Sequence, residues 1–310
     1  MGDGTKESPY TREDVLKLIK ENSGTAIVLD LSGKVFEEGI DLSKLNLDGI
    51  ILRNAWLVGV KLKGSRLVAS HLERAFLVDA HLEGAILGGA YLEGAWLIRT
   101  HLEGANLYGA YLEGADLSNA HLEGVRLGYV RFSSDTRIDN SDWGSYIIGE
   151  EKNGAFVLAS DTYRRLKMWY TEHGIYDVAG EFFYREMEVK RKALKWWPNP
   201  LPKTRQTLYW LLCGYGERPL KVVISGISVL LVFVLLYFLS RGVAPYDFTM
   251  EAFLGSLYYS AVSFTALGYG PWFSANSVRS WVQGVGATEA FIGVFMMALF
   301  LITLTRKMTR

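Results

Sequence analysis

Leucine stands at every fifth position from Leu42 to Leu127, eighteen times in a row, and Phe132 continues the register. Two residues before each leucine the side chain is usually small, as at Ala55, Ala75, Ala80, Ala85, Ala90, Ala95, Ala105, Ala110, Ala115 and Ala120, and glycine often precedes it. A period of five matches neither the 3.6 of an α-helix nor the 2 of a plain strand. A fixed-period repeat of this length points to a stacked architecture in which each unit buries its apolar side chains against its neighbours.

The register resembles the pentapeptide-repeat family. That resemblance implies a right-handed quadrilateral parallel β-helix, one pentapeptide per side and four per coil, with the leucine and the small residue pointing inward. Four to five coils at about 4.8 Å per layer give a rod roughly 20–25 Å tall. An open stack must be capped. At the start, Thr11-Arg-Glu-Asp14 has capping-box spacing, and Val15, Leu16, Leu18 and Ile19 give the following helix an apolar face. Coils of 20 residues would put His81, His101 and His121 in one outward column and Glu83, Glu103 and Glu123 in another, with Glu73, Glu93 and Glu113 on the opposite side. Such columns read as a solvated polar ladder; a cation or proton sensor is the sharper alternative. Some pentapeptide-repeat proteins imitate DNA and bind topoisomerases. Here nine acidic and nine basic residues lie between Leu42 and Phe132, which disfavours that role.

The last 90 residues are far more apolar than the rest. Val222–Leu239 carries no charge, and Trp281–Thr305 carries only Glu289. Each is long enough to cross a hydrocarbon layer of about 30 Å. Eight Lys and Arg residues precede the first run and Arg306, Lys307 and Arg310 follow the second, against Arg241 and Arg279 between them. The positive-inside rule then predicts a multi-pass protein of the plasma membrane with both termini in the cytoplasm. No apolar stretch follows Met1-Gly-Asp-Gly-Thr-Lys6, so a cleaved secretory signal is not expected. Cys213 is the one cysteine, which excludes an intramolecular disulfide and a cysteine zinc cluster. It reads as an inert buried thiol, or as a reversible lipid anchor.

Between the runs, an apolar, aromatic segment leads into Thr265-Ala266-Leu267-Gly268-Tyr269-Gly270. Non-helical backbone at membrane depth is tolerated only where protein buries it or water meets it. A glycine-punctuated ribbon can turn successive carbonyls inward, and rings of such oxygens can replace the hydration shell of a cation. The segment from Ser256 to Pro271 resembles the pore helix and selectivity filter of the two-transmembrane potassium channels. The second run resembles their inner helix, with Gly293 at the hinge position, and the likeness covers residues 219–310. It implies a homotetramer, with Thr265, Ala266, Leu267, Gly268, Tyr269 and Gly270 as the ion-binding filter. It also implies Tyr258, Tyr259 and Glu289 as filter support. Gly293 would be the gate hinge, with Met297, Phe300, Leu301 and Leu304 near the constriction. Three departures bear on selectivity: Ala266 replaces the usual threonine, Pro271 the usual aspartate, and Tyr258 and Tyr259 a tryptophan pair.

The expected fold is therefore mixed. Residues 1–35 form an N-terminal helix and cap, 36–148 a cytoplasmic β-helix, and 149–202 a helical connector. Residues 203–217 form an interfacial amphipathic helix and 218–310 the pore domain, with spans 219–241 and 279–305, pore helix 248–265 and filter 266–270. The expected function is a tetrameric potassium-selective channel whose repeat domain regulates gating. The alternatives are a weakly selective monovalent cation channel and a membrane-tethered repeat scaffold. No catalytic constellation is visible, so an enzyme is not expected. No cofactor or metal is expected beyond permeating K+. The expected partners are membrane lipid and an unknown cytoplasmic ligand or protein on the repeat domain, with no nucleic acid. Only Arg306–Arg310 follow the second span, so regulation from a C-terminal domain is not expected.

Overall fold

In the computed structural model, residues 2–266 and 278–308 are described. The chain divides into two compact units, Met1–Ala193 and Leu194–Arg310.

The first unit is built on parallel bridges between residues 20 apart, from Asp41↔Lys61 through Asn106↔Arg126 and Tyr111↔Arg131. Each bridging residue bonds the preceding coil twice: His101 donates to the Ala80 carbonyl at 2.9 Å and accepts from the Leu82 amide at 2.8 Å. At both ends the spacing widens to 21, at Asp30↔Ile51 and Val35↔Trp56, and at Asp116↔Arg137 and His121↔Asp142. At the far end Thr136 occupies the small inward position. It is fully buried, and its hydroxyl donates to the Leu112 carbonyl at 2.8 Å.

Inside the coils the leucines from Leu42 to Leu127 are 0–2% exposed, and the small residues beside them are equally buried. Where the small position is polar, the hydroxyl bonds a carbonyl: Ser65 to Leu62 at 2.6 Å, Ser70 to Leu67 at 2.8 Å and Thr100 to Leu77 at 2.9 Å. A buried hydroxyl without a partner would cost about 1–3 kcal/mol. The corners need a left-handed residue, as at Gly84 with φ +64°. Arg74, Asp79 and Arg99 take the same conformation without being glycine.

Helix α1 (Arg12–Glu21) closes the N-terminal end. Thr11 and Asp14 form the capping box, and the Asp14 carboxylate also accepts the Gly2 amide at 3.0 Å. Val15 is fully buried and Leu18 and Ile19 pack on the core, while Leu16 points outward. The C-terminal end is closed by α2 (Gly149–Lys152), α3 (Phe156–Glu172) and α4 (Tyr176–Ala193). The sequence reads α3 and α4 as a connector; in the structure they cap the β-helix. Tyr163, Leu166, Tyr170 and Phe182 continue the leucine core without a break. Trp143 donates to the Tyr170 hydroxyl at 2.7 Å, which donates in turn to the Ile138 carbonyl at 2.9 Å. Arg165 donates to the Val130 carbonyl at 2.5 Å, and the Gly128 amide donates to Glu150 at 2.6 Å. These bonds satisfy backbone groups that the last coil leaves without a next layer. Burial, reinforced by the bond to Glu151, holds the Tyr163 hydroxyl well above the ordinary tyrosine range.

The second unit is helical among its described residues: α5 (Leu201–Cys213), α6 (Pro219–Leu239), α7 (Met250–Thr265) and α8 (Ser280–Met308). A short 3-10 turn over Gly214–Gly216 joins α5 to α6. Helices α6 and α8, of 21 and 29 residues, are long and apolar enough to cross a membrane. Most of their apolar surface, including Ile224, Leu231, Val232, Phe291 and Ile302, stays exposed. A core helix of a water-soluble protein would bury that surface.

Candidate ion pathway and repeat-domain face

Helix α7 sits between α6 and α8 in sequence and packs on both. Thr249 caps its start by accepting the Ala252 amide at 3.2 Å, and is itself held by Asp247 at 2.8 Å. The helix ends at Thr265, whose hydroxyl donates to the Ala261 carbonyl at 2.7 Å. Ala266 then turns left-handed, with φ +53°. A helix carboxyl end carries partial negative charge, which favours a cation beyond it. Of the six filter residues expected from the sequence, Thr265 and Ala266 are at this helix end. Leu267, Gly268, Tyr269 and Gly270, and Pro271 after them, lie outside the described residues.

One buried carboxylate ties the three helices together. Glu289 on α8 is 0% exposed. It accepts a hydrogen bond from the Tyr237 hydroxyl on α6 at 2.7 Å and a short one from the Ser260 hydroxyl on α7. Tyr237 meets Tyr259 edge to face, with centroids 5.2 Å apart, and the Tyr259 hydroxyl donates to the Val282 carbonyl at 3.4 Å. An ionisable group inside a span is costly unless satisfied, and two hydroxyl donors satisfy this one. Tyr259 and Glu289 thus brace α7, while Tyr258 is 40% exposed. Neither Tyr237 nor Ser260 stands out in the sequence. A tyrosine in an apolar run and a serine in a short helix become informative only when Glu289 is found between them.

Gly293 has a packing reason. A Cβ there would collide with the Phe264 carbonyl oxygen, so the missing side chain lets the last turn of α7 lie against α8. One turn further, Met297 and Leu301 line a cavity of about 430 Å³ with Val222, Gly226 and Phe264. Phe300 packs toward the Cys213, Val222 and Met296 cluster, and Leu304 is partly exposed. At the end of α8, Arg306 pairs with the half-buried Glu217 at 3.3 Å, joining the turn before α6 to the last turn of α8. Cys213 is buried beside that turn, and burial pushes its thiol up, away from the reactive thiolate.

On the first unit, the outward residues stack as coil geometry requires. His81, His101 and His121 form a column with centroids 4.8 and 4.5 Å apart and planes within 3° and 4°. The opposite side carries His71–Tyr91–Tyr111, with Arg131 over the last ring, and a neighbouring side carries Trp56–Phe76–Trp96. The Glu73, Glu93 and Glu113 column lies beside the tyrosines, where Glu73 pairs with Arg53 at 3.1 Å.

Residues 61–95 and 85–124 match the family model for pentapeptide repeats, in eight copies. Among solved structures, HetL, a pentapeptide repeat protein involved in heterocyst differentiation regulation from the cyanobacterium Nostoc, is 29% identical. The match covers 42% of this chain and 57% of that one, with a TM-score of 0.26. A pentapeptide repeat protein from the cyanobacterium Cyanothece is 34% identical over 34% of this chain and 65% of that one, with a TM-score of 0.19. Another, from the Arabidopsis thaliana thylakoid lumen, is 32% identical over 31% and 67%, with a TM-score of 0.19. The chain thus spans under two thirds of the length of the two cyanobacterial proteins. No curated protein matches the chain. No potassium-channel family matches it.

Proposed function

We propose that this pentapeptide-repeat protein is the subunit of a homotetrameric, potassium-selective channel of the plasma membrane, multi-pass with both termini in the cytoplasm. The observation that carries the reading is the short capped helix α7 between two span-length apolar helices, with its carboxyl end leading into Thr265-Ala266-Leu267-Gly268-Tyr269-Gly270. A plain membrane anchor has no use for a third, packed, partly polar helix between its spans. One chain supplies one filter ribbon, so a pore requires a closed ring of copies, and four is the number the potassium-channel resemblance implies. Carbonyl oxygens of the ribbons would replace the water around K+. Glu289, Tyr237, Ser260 and Tyr259 would hold the pore helix in place behind them. Ala266 removes one ring of hydroxyl ligands and Pro271 a buttressing bond, so selectivity rests on main-chain oxygens.

Gating is assigned to the inner ends of the spans, with Gly293 as hinge and Met297, Phe300, Leu301 and Leu304 at the constriction. Force would arrive through α5 and the Glu217–Arg306 pair, because α5 precedes α6 and the pair fastens that approach to α8. The repeat domain would supply the force when a cytoplasmic ligand or protein binds it.

Reconstitution into liposomes tests the reading. The expected result is a K+ flux, with a bi-ionic reversal potential showing K+ favoured over Na+. Equal permeability would make the protein a weakly selective cation channel. Absence of flux from well-folded, membrane-inserted protein would leave a tethered repeat scaffold.

A further inference from the structure

We infer that the histidine face of the repeat domain binds one divalent transition-metal ion, held by His101, Glu103 and His121. The 20-residue coil brings His101 and His121 into bridging register, with parallel rings 4.5 Å apart. One ligand atom from each of the three residues lies within 4.8 Å of the others. Each ring is steered by a carboxylate: Glu103 Oε1 is 3.3 Å from His101 Nδ1, and Asp142 Oδ2 is 3.5 Å from His121 Nδ1. Carboxylates beside ligating imidazoles fix ring orientation in metal sites. The second oxygen of Glu103 is buried and has no hydrogen-bond partner among the described residues.

The donor set selects the metal. Two imidazoles and one carboxylate suit Zn2+, Co2+, Ni2+ or Cu2+, whereas Ca2+ and Mg2+ prefer oxygen-only shells. Ligands at about 2.1 Å around a tetrahedral ion stand roughly 3.4 Å apart. Closing from the observed spacing needs only side-chain rotation, because all three groups are partly exposed while their backbones are locked in the β-helix. Water completes the shell. The tyrosine column supplies an internal control. Glu93 and Glu113 there also have unpartnered buried oxygens, but Tyr91, Tyr111 and Arg131 replace the imidazoles, so no ligand set forms.

Metal-stripped full-length protein titrated with Co2+, followed by its visible absorption and then by Zn2+ competition, tests the site. One equivalent per chain is expected. His101→Phe and His121→Phe keep a ring in the stack and remove the nitrogens. Each should weaken binding roughly tenfold or more, while the thermal unfolding midpoint without metal stays near that of the unaltered chain. Tyr91→Phe should bind as the unaltered chain does. Absence of bound Co2+ and Zn2+ at millimolar metal would overturn the site, as would unchanged binding in a folded double variant lacking both imidazoles.

Discussion

A glycine inside a helix normally costs stability, and replacing it with alanine gains about 1 kcal/mol. At Gly293 the sign should reverse. The added methyl meets a backbone carbonyl rather than the flexible end of a side chain, so α7 or α8 must move. Overpacking of this kind costs about 1–3 kcal/mol. Gly293→Ala is therefore expected to lower the thermal unfolding midpoint of the detergent-solubilised protein; a higher midpoint would mean that α7 does not lie against α8 there. Tyr237→Phe removes one of two donors to a buried carboxylate and should cost about 1–3 kcal/mol by the same measurement. These residues also mark where sequence reading ran short. The potassium-channel resemblance points to Gly293 as a hinge, whereas its close approach to the Phe264 carbonyl leaves no periodic trace in the sequence. Glu289 is conspicuous as a charge in an apolar run, but its donors come from helices 29 and 52 residues away.

At the scale of elements, the capping pair α3–α4 should matter more than its distance from the repeats suggests. Phe182 is fully buried and meets Trp143, Tyr146 and Tyr170. Truncating such a ring costs about 3–5 kcal/mol. Phe182→Ala should therefore lower the unfolding midpoint of the β-helix itself, read from its far-ultraviolet dichroism, and expose its last coil to edge pairing. Acid should loosen the same cap. Burial raises the Glu186 carboxyl, but the Lys167 and Lys190 ammonium groups, at 2.8 and 2.5 Å, outweigh it and hold the carboxyl below its ordinary range. A depressed carboxyl stabilises the fold above its unfolded value of about 4.3. That contribution is lost as pH falls through the lower folded value. In a pH series of thermal melts, Glu186→Gln should lose part of the acid-side decline seen in the unaltered chain. The coils were legible because their burial pattern repeats within the sequence. The sequence presents the cap as a separate helix pair because Trp143, Tyr170 and Phe182 belong to no repeat, and their contacts span up to 39 residues.

For the whole molecule, the division into two units separates a closed core from the apolar helices. Residues 1–193 bury a continuous leucine core and have both ends covered, so this unit alone should unfold cooperatively, with coincident fluorescence and dichroism transitions. If the repeat domain drives the gate, a channel lacking those residues should conduct with an altered open probability. Unchanged open probability would reduce the domain to a scaffold.

The uniform coil also bears on how such a protein can change over generations. A copying slip that inserts or removes one complete turn leaves every leucine facing inward and every corner in phase, and alters only the height of the tower. A slip of any other length rotates the downstream faces, and one falling between His101 and His121 pulls the two out of alignment. Lineages of this chain should therefore differ in storeys rather than in register, with irregular insertions confined to the 21-residue turns near the two lids.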